Sequence, residues 1–352
     1  PSYLGALDFM YKNDPELPKY ISALYYQLDP EKALDIIYTQ QVIQALNKMQ
    51  MIFHPDYAAN GKFEYSSIIN LQSKDVKIFV DNNILSPIYD LITNGTLKNE
   101  FQLQKISLFI LFSKYIRAQI TCGLALFEND TAEKSHIAAE NKRQAFLFGI
   151  DEIPLMVWKK LAFGELKSIP KVFLSKFQID ADENNYKNPD ELHYLMHKVA
   201  IMKIVHLLRD TTLNGFEKYI TFFEWYADNL IISESMLVYA ALLLGNVDHV
   251  DAPKKYNSNS YENVLSGIDN QAWDMFYLTH WSTYYYEEEN DIYMFATDDI
   301  TQKFIIVNNQ KGGYANLAGT VFSNKKQKET EQEEINSQIK EIKESVYRFL
   351  LS

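Results

Sequence analysis

The chain is nearly free of cysteine. Cys122 stands alone among 352 residues, which excludes an internal disulfide framework and fits a reducing, cytoplasmic setting. A lone cysteine in an apolar stretch is expected to be a small buried residue rather than a nucleophile. Long apolar runs are missing as well. The longest, at 107–112 and 236–244, fall short of the roughly 20 residues that a membrane span needs. The first residues, with Asp8, Lys12, Asp14 and Glu16 among them, lack a signal-peptide pattern. Positive charge is scarce: 34 Lys and Arg against 46 Asp and Glu leave a net charge of −12. That balance argues against a protein that coats nucleic acid, because phosphate contacts draw on Lys and Arg. A nuclease with a short, selective contact is not excluded, since an acidic site contributes to the charge and a bound metal reverses the local field. No Ser/His/Asp order, Walker loop, GxGxxG or zinc spacing competes for the reading.

What the chain has is apolar substance, 47% of its residues, enough for a large core. Tyr (24) and Phe (21) are abundant; some have the chemistry to stack on bases, and most are expected in the core. The most informative run is Val76-Lys77-Ile78-Phe79-Val80-Asp81-Asn82-Asn83. Its β-branched and aromatic residues predict a buried strand. Asp81 closes it, at the end where open α/β sheets place ligands. An Asp in that position is ordinarily a cap or turn residue, so Asp81 matters because the pattern recurs. Ile292-Tyr293-Met294-Phe295-Ala296-Thr297-Asp298-Asp299 again delivers carboxylates from an apolar strand. Upstream, Trp273, Phe276 and Tyr277 recur at helical spacing, with Asp274 expected near the start of that helix. Residues 120–128 read as a helix bearing Glu128. Four acidic positions are thus expected to converge on one sheet edge. Carboxylates so gathered repel one another unless a divalent cation offsets them. An oxygen-only set selects Mg²⁺ or Mn²⁺, which supports hydrolysis of a phosphodiester.

This order of residues resembles the PIN-domain nucleases. Ile-Phe-Val-Asp-Asn-Asn, Gly-Leu-Ala-Leu-Phe-Glu, Ala-Trp-Asp and Phe-Ala-Thr-Asp-Asp match the four acidic motifs of that family in sequence order. The resemblance implies a Rossmann-like α/β/α sandwich with a parallel sheet, one or two Mg²⁺ or Mn²⁺ ions, and cleavage of nucleic acid, RNA ahead of DNA. It assigns the catalytic and metal-holding positions to Asp81, Glu128, Asp274 and Asp299, with Asp298 as a substitute beside the last. Asn83 and Thr297 are supporting residues. It further implies a toxin or phage-defence effector checked by an inhibitory or regulatory protein partner, with an oligomer open. Asn82 departs from the family, which has Thr or Ser there. The 146 residues between Glu128 and Asp274 require an insertion.

The chain is therefore expected to divide into a helical N-terminal region (1–72), an α/β core (73–128 and 266–322), a helical insertion (129–265) and a charged C-terminal helix (323–352). His193 and His197, four apart on a predicted helix, have metal-ligand spacing, but nothing nearby completes a zinc set, so ordinary histidines are expected. Lys142 and Arg143 are candidates for a substrate phosphate, with a surface pair as the plainer expectation. Residues 284–289 read as an aromatic helix end before an acidic turn, and Asp269 as a helix cap. The rival to a nuclease is a helical scaffold whose α/β core has lost activity, or a nuclease directed to DNA.

Overall fold

A computed structural model describes residues 30–133, 136–178, 191–287, 291–310 and 313–323. The expected C-terminal helix and the acidic residues Glu288 and Glu289 lie outside these. The fold is mixed α/β and mostly helical, with one small, mostly parallel sheet. It forms two compact units: Pro1–Asn185 with Glu288–Ala296, and Tyr186–Glu287 with Thr297–Ser352.

The first unit opens with α1 (Pro30–Met49), β1 (Ile52–Phe53) and α2 (Tyr65–Gln72). The short strand β1 interrupts what sequence periodicity reads as helix throughout. Two residues are too few to show an alternating pattern, so only pairing reveals them. Then come β2 (Asp75–Val80), α3 (Asn82–Asn94), α4 (Glu100–Tyr115), β3 (Gln119–Thr121) and α5 (Gly123–Glu133). The unit continues with α6 (His136–Asp151), α7 (Leu155–Ala162) and α8 (Lys171–Leu174). Ile120 and Thr121, expected in a helix, belong to β3; the helix that carries Glu128 starts at Gly123.

The sheet is closed by β4 (Asp291–Ala296), which arrives from far along the chain. The strand order is β1-β4-β2-β3. β2 runs parallel to both β3 and β4, whereas β1 is antiparallel to β4. The two central strands are almost wholly buried, with Val76, Ile78, Phe79 and Val80 facing Ile292 through Ala296 in register. Such apolar strands, broken in β2 only by Lys77, which pairs with Asp291, are what a sheet covered on both faces needs. α3 packs on α6 and α4 on α7. α3 ends at Gly95, whose N–H donates to the carbonyl of Leu91 and whose φ of 76° turns the chain out of the helix, a left-handed cap that glycine adopts without a Cβ penalty.

The second unit is helical among the described residues. It contains α9 (Glu191–Arg209), α10 (Gly215–Asn229), α11 (Glu234–Leu244), α12 (Tyr261–Glu287), α13 (Ile300–Gln310) and α14 (Gly313–Phe322). α11 is its centre, buried at every position from Ser235 to Leu244, as expected of a helix apolar all round. α10, α13 and α14 pack against it, and α9 lies along α12. Gly267 lets α12 touch the preceding loop: a Cβ there would stand 1.8 Å from the Lys254 carbonyl oxygen. The residues expected as an insertion are mostly helical where described, with a non-helical stretch at 245–260, and they are divided between both units.

Candidate functional site

The expected acidic residues fall into two clusters, one in each unit. In the first, Asp81 follows β2 at the C-terminal edge of the sheet. Its backbone N–H donates to the carbonyl of Ala296, the last residue of β4. Asp81 is the residue before α3 with extended backbone, the geometry of a helix cap. Yet its side chain accepts no capping hydrogen bond from the helix backbone. Instead Oδ2 accepts from the side-chain amide of Asn83, and the carboxylate is buried, 3% exposed. Asn82, the departure from the family pattern, is a hub. Its Nδ2 donates to Glu128 Oε1 at 3.3 Å, and its Oδ1 accepts from Ser86 Oγ and Asn129 Nδ2, each at 2.8 Å. Asn129 also donates to the Ala125 carbonyl and accepts from Lys142 Nζ. The geometry thus joins Asn82, Glu128, Asn129 and Lys142 in one hydrogen-bonded set, beside the separate Asp81–Asn83 pair.

Lys142 and Arg143 are half-buried rather than a free surface pair. Arg143 binds Glu140 with two hydrogen bonds, Nε to Oε2 at 2.8 Å and Nη2 to Oε1 at 2.7 Å, and Glu140 is 1% exposed. A buried carboxylate requires such a partner, so Arg143 is committed structurally. Cys122 is buried as expected, and burial pushes its thiol up to about 12, far from the range of a nucleophile.

The second cluster surrounds Asp274. This residue sits in the middle of α12, a helix of 27 residues, and not near a helix start. Periodicity marked its apolar stripe but could not show that the helix begins at Tyr261. For the same reason Asp269 is no cap: it lies within α12, accepts from Tyr194 Oη at 3.0 Å and pairs with Lys198 at 2.5 Å. Asp274 receives two side-chain amides, Gln302 Nε2 at 2.9 Å on Oδ1 and Gln271 Nε2 at 3.3 Å on Oδ2. Asp299 precedes α13, and its Oδ1 accepts the backbone N–H of Gln302 at 2.8 Å. The Thr297 hydroxyl accepts the Asp299 N–H at 3.0 Å. Gln302 therefore joins the two acids. Asp298 pairs with Lys303 at 2.9 Å, which leaves Asp299 as the acid of the Thr-x-Asp pattern that faces Gln302. Beneath them lies Tyr239, fully buried, its hydroxyl donating to the Asp251 carbonyl at 3.0 Å. Burial holds that phenol far above its ordinary range, and the nearby charges of Asp274, Asp251 and Asp299 raise it further. It is a neutral donor at any ordinary pH.

Asn82, Asn129, Gln302 and Tyr239 are the members that motif reading missed. Adjacency to Asp81 and Glu128 marks the first two, and the three-residue cap spacing from Asp299 marks Gln302. Tyr239 carries no local signal, since it sits in an apolar helix.

Among the described residues, no group of three or more His, Cys, Asp and Glu side chains comes together as a metal cage. A hard cation that keeps its waters asks for less, since Mg²⁺ is commonly held by one or two carboxylates with water and substrate oxygens. The donors here are carboxylate and amide oxygens, the set such an ion prefers. Gln302 also has a buried Oε1 without a hydrogen-bond partner among the described residues, an acceptor that a cation or a water would satisfy. No family model, curated protein or solved structure matches the chain.

Proposed function

We propose that the chain is a PIN-like, metal-dependent nuclease that hydrolyses phosphodiester bonds, RNA ahead of DNA. The observation that carries this reading is Asp81 at the C-terminal edge of the central parallel strands. It stands where a cap belongs, yet its carboxylate is withheld from the helix backbone and oriented by Asn83. A structural cap would satisfy backbone N–H groups; this carboxylate accepts from a side-chain amide instead.

In this reading Asp81 and Glu128 carry the chemistry of the first cluster, and Asp274 and Asp299 that of the second, with Asp298 drawn off by Lys303. Mg²⁺ or Mn²⁺ would offset the carboxylate charge and promote formation of hydroxide from water near neutral pH. The protein residues position and neutralise. Asn83 fixes the Asp81 carboxylate, Asn82 fixes Glu128, and Gln302 and Gln271 hold both oxygens of Asp274. Lys142, hydrogen-bonded to Asn129, is a cation tied into the first cluster that could meet a substrate phosphate.

The test is cleavage of single-stranded RNA, structured RNA and DNA in Mn²⁺ by the intact chain and by Asp81→Asn. Loss of cleavage with an unchanged melting curve supports the reading, and full activity in that variant rejects it. The rival is a scaffold without catalysis, favoured by the lack of a three-acid group among the described residues. Calorimetric titration with Mn²⁺ separates the two: saturable binding lost in Asp81→Asn or Asp299→Asn belongs to the nuclease, and no binding belongs to the scaffold.

A further inference from the structure

α9 is apolar on both sides. Tyr194, His197, Ile201 and Ile204 turn one face into the second unit and are buried. The opposite face carries Leu192, Leu195, Val199 and Met202, each between 42% and 68% exposed. Their spacing of three, four and three residues draws one stripe along the helix. A helix that is apolar all round belongs in a core, and a contiguous exposed apolar patch marks a contact surface. No member of either acidic cluster lies on α9, so the nuclease reading leaves this face unexplained.

The chain itself holds a matching surface. Residues 324–352 follow the described part, and in them Ile335, Ile339, Ile342, Val346 and Phe349 recur four, three, four and three apart. That is the same seam repeat, and two such seams interlock side chain into gap. The described chain also ends in a suitable place. Phe322, next to the last described residue, packs on Phe216 and Tyr219 at ring-centroid distances of 5.5 and 5.2 Å. Those rings belong to the first turns of α10, and residues 210–214 alone join α10 to the end of α9. Residues 324–334 reach up to about 35 Å when extended. The stripe begins close by and spans only about 15 Å of helix.

Charge fixes the direction. α9 has Glu191 in its first turn and His206 and Arg209 in its last. Residues 329–334 include four Glu and no Lys or Arg, whereas 340–348 carry Lys340, Lys343 and Arg348 against Glu341 and Glu344. An antiparallel pairing sets the acidic start of the segment against the basic end of α9, and its more basic stretch towards Glu191. A parallel pairing would reverse both matches.

We infer that residues 335–349 form an amphipathic helix that docks antiparallel on the exposed stripe of α9. The inference concerns the second unit and does not need the nuclease reading.

The experiment is amide hydrogen exchange of the full chain, read by mass spectrometry, with sedimentation giving the oligomeric state. In the parent, a monomer is expected whose amides at 335–349 exchange at least about tenfold more slowly than free peptide amides. Leu195→Asp with Val199→Asp, at exposed positions of α9, should return the segment to the free-peptide rate while the main melting transition persists. Met156→Asp, at an exposed apolar position of the first unit, should leave the protection as in the parent. Ile339→Asp with Val346→Asp leaves α9 itself untouched; in that protein Met202 should oxidise in hydrogen peroxide at least about threefold faster than in the parent, because its cover is gone. The inference is overturned if 335–349 exchanges freely in the parent, or if its protection survives in folded Leu195→Asp, Val199→Asp protein, which would mean that the segment packs elsewhere. Equal oxidation of Met202 in the parent and the segment variant overturns it too. So does a parent dimer that the α9 variant dissolves, because the stripe then seats a second copy.

Discussion

At the residue scale, asparagine rather than charge organises the first cluster. Asn82 spends one amide hydrogen on Glu128 and its oxygen on Ser86 and Asn129, while Asn83 serves Asp81. Replacing Asn82 with Thr, the family-like residue, shortens the side chain and removes the amide donor. Glu128 then loses the Asn82 hydrogen bond, and on the nuclease reading RNA cleavage is expected to fall about 10- to 100-fold, in line with the usual cost of disturbing groups that orient metal ligands. Single-turnover rates with the variant check this; unchanged rates would show that the tether is structural only. His54 offers a prediction on stability. It lies beside β1, buried, and its Nδ1 accepts the N–H groups of Asp56 and Tyr57. Burial lowers its imidazole to about 4, against a smaller opposing effect of Asp56. The unfolded chain takes up this proton near pH 6.5 and the folded chain only near 4. Stability is therefore whole above pH 6.5 and is lost as pH falls through that window, by about 3 kcal/mol at most. His54→Asn keeps a side-chain acceptor without the titration, so urea midpoints measured from pH 7 to pH 4 should decline less steeply in the variant.

At the element scale, the helices were the most legible part. The periodic apolar stripes at 154–163, 189–208, 216–229 and 233–244 correspond to α7, α9, α10 and α11 to within a few residues. Caps explain the agreement at the starts: Asn214 and Glu217 form a reciprocal capping box, and Ser233 accepts the Met236 N–H. What failed were elements whose definition is not local. β1 and β3 are strands of two and three residues, and their identity comes from the partner strand. α12 was underestimated because a half-polar start hides the stripe that tertiary contacts extend. α7 supplies a test of packing. Trp158 is fully buried, and its Nε1 donates to the Gly149 carbonyl at 3.1 Å. Trp158→Ala removes that bond and leaves a cavity between α7 and its neighbours. A loss of about 3–5 kcal/mol is expected, read from the denaturant transition of the first unit.

At the scale of the whole molecule, net charge limits how nucleic acid is held. With −12 overall and Lys142 as the cation tied into the first cluster, contact with two or three phosphates is what the nuclease reading permits. For a single strand the slope of log affinity against log salt should then lie near −2, since each phosphate contributes about −0.7. Fluorescence anisotropy with labelled RNA across a salt series, using the inactive Asp81→Asn protein, gives that slope directly. A value steeper than about −5 would mean a broad basic surface that this composition does not supply.

The amino-acid order by itself determined that β2 and β4 are apolar strands, where acidic residues leave them, and where most helices run. These are consequences of side-chain periodicity and capping, which act over a few residues. Only the tertiary structure decided that β4 inserts between β1 and β2, that Asp298 is drawn to Lys303, that Asn82 grips Glu128, and that α9 turns an apolar stripe outward. Those facts depend on which distant segments share a core. That choice is made by burying the most apolar surface at once over the whole chain, and no local window of sequence records it.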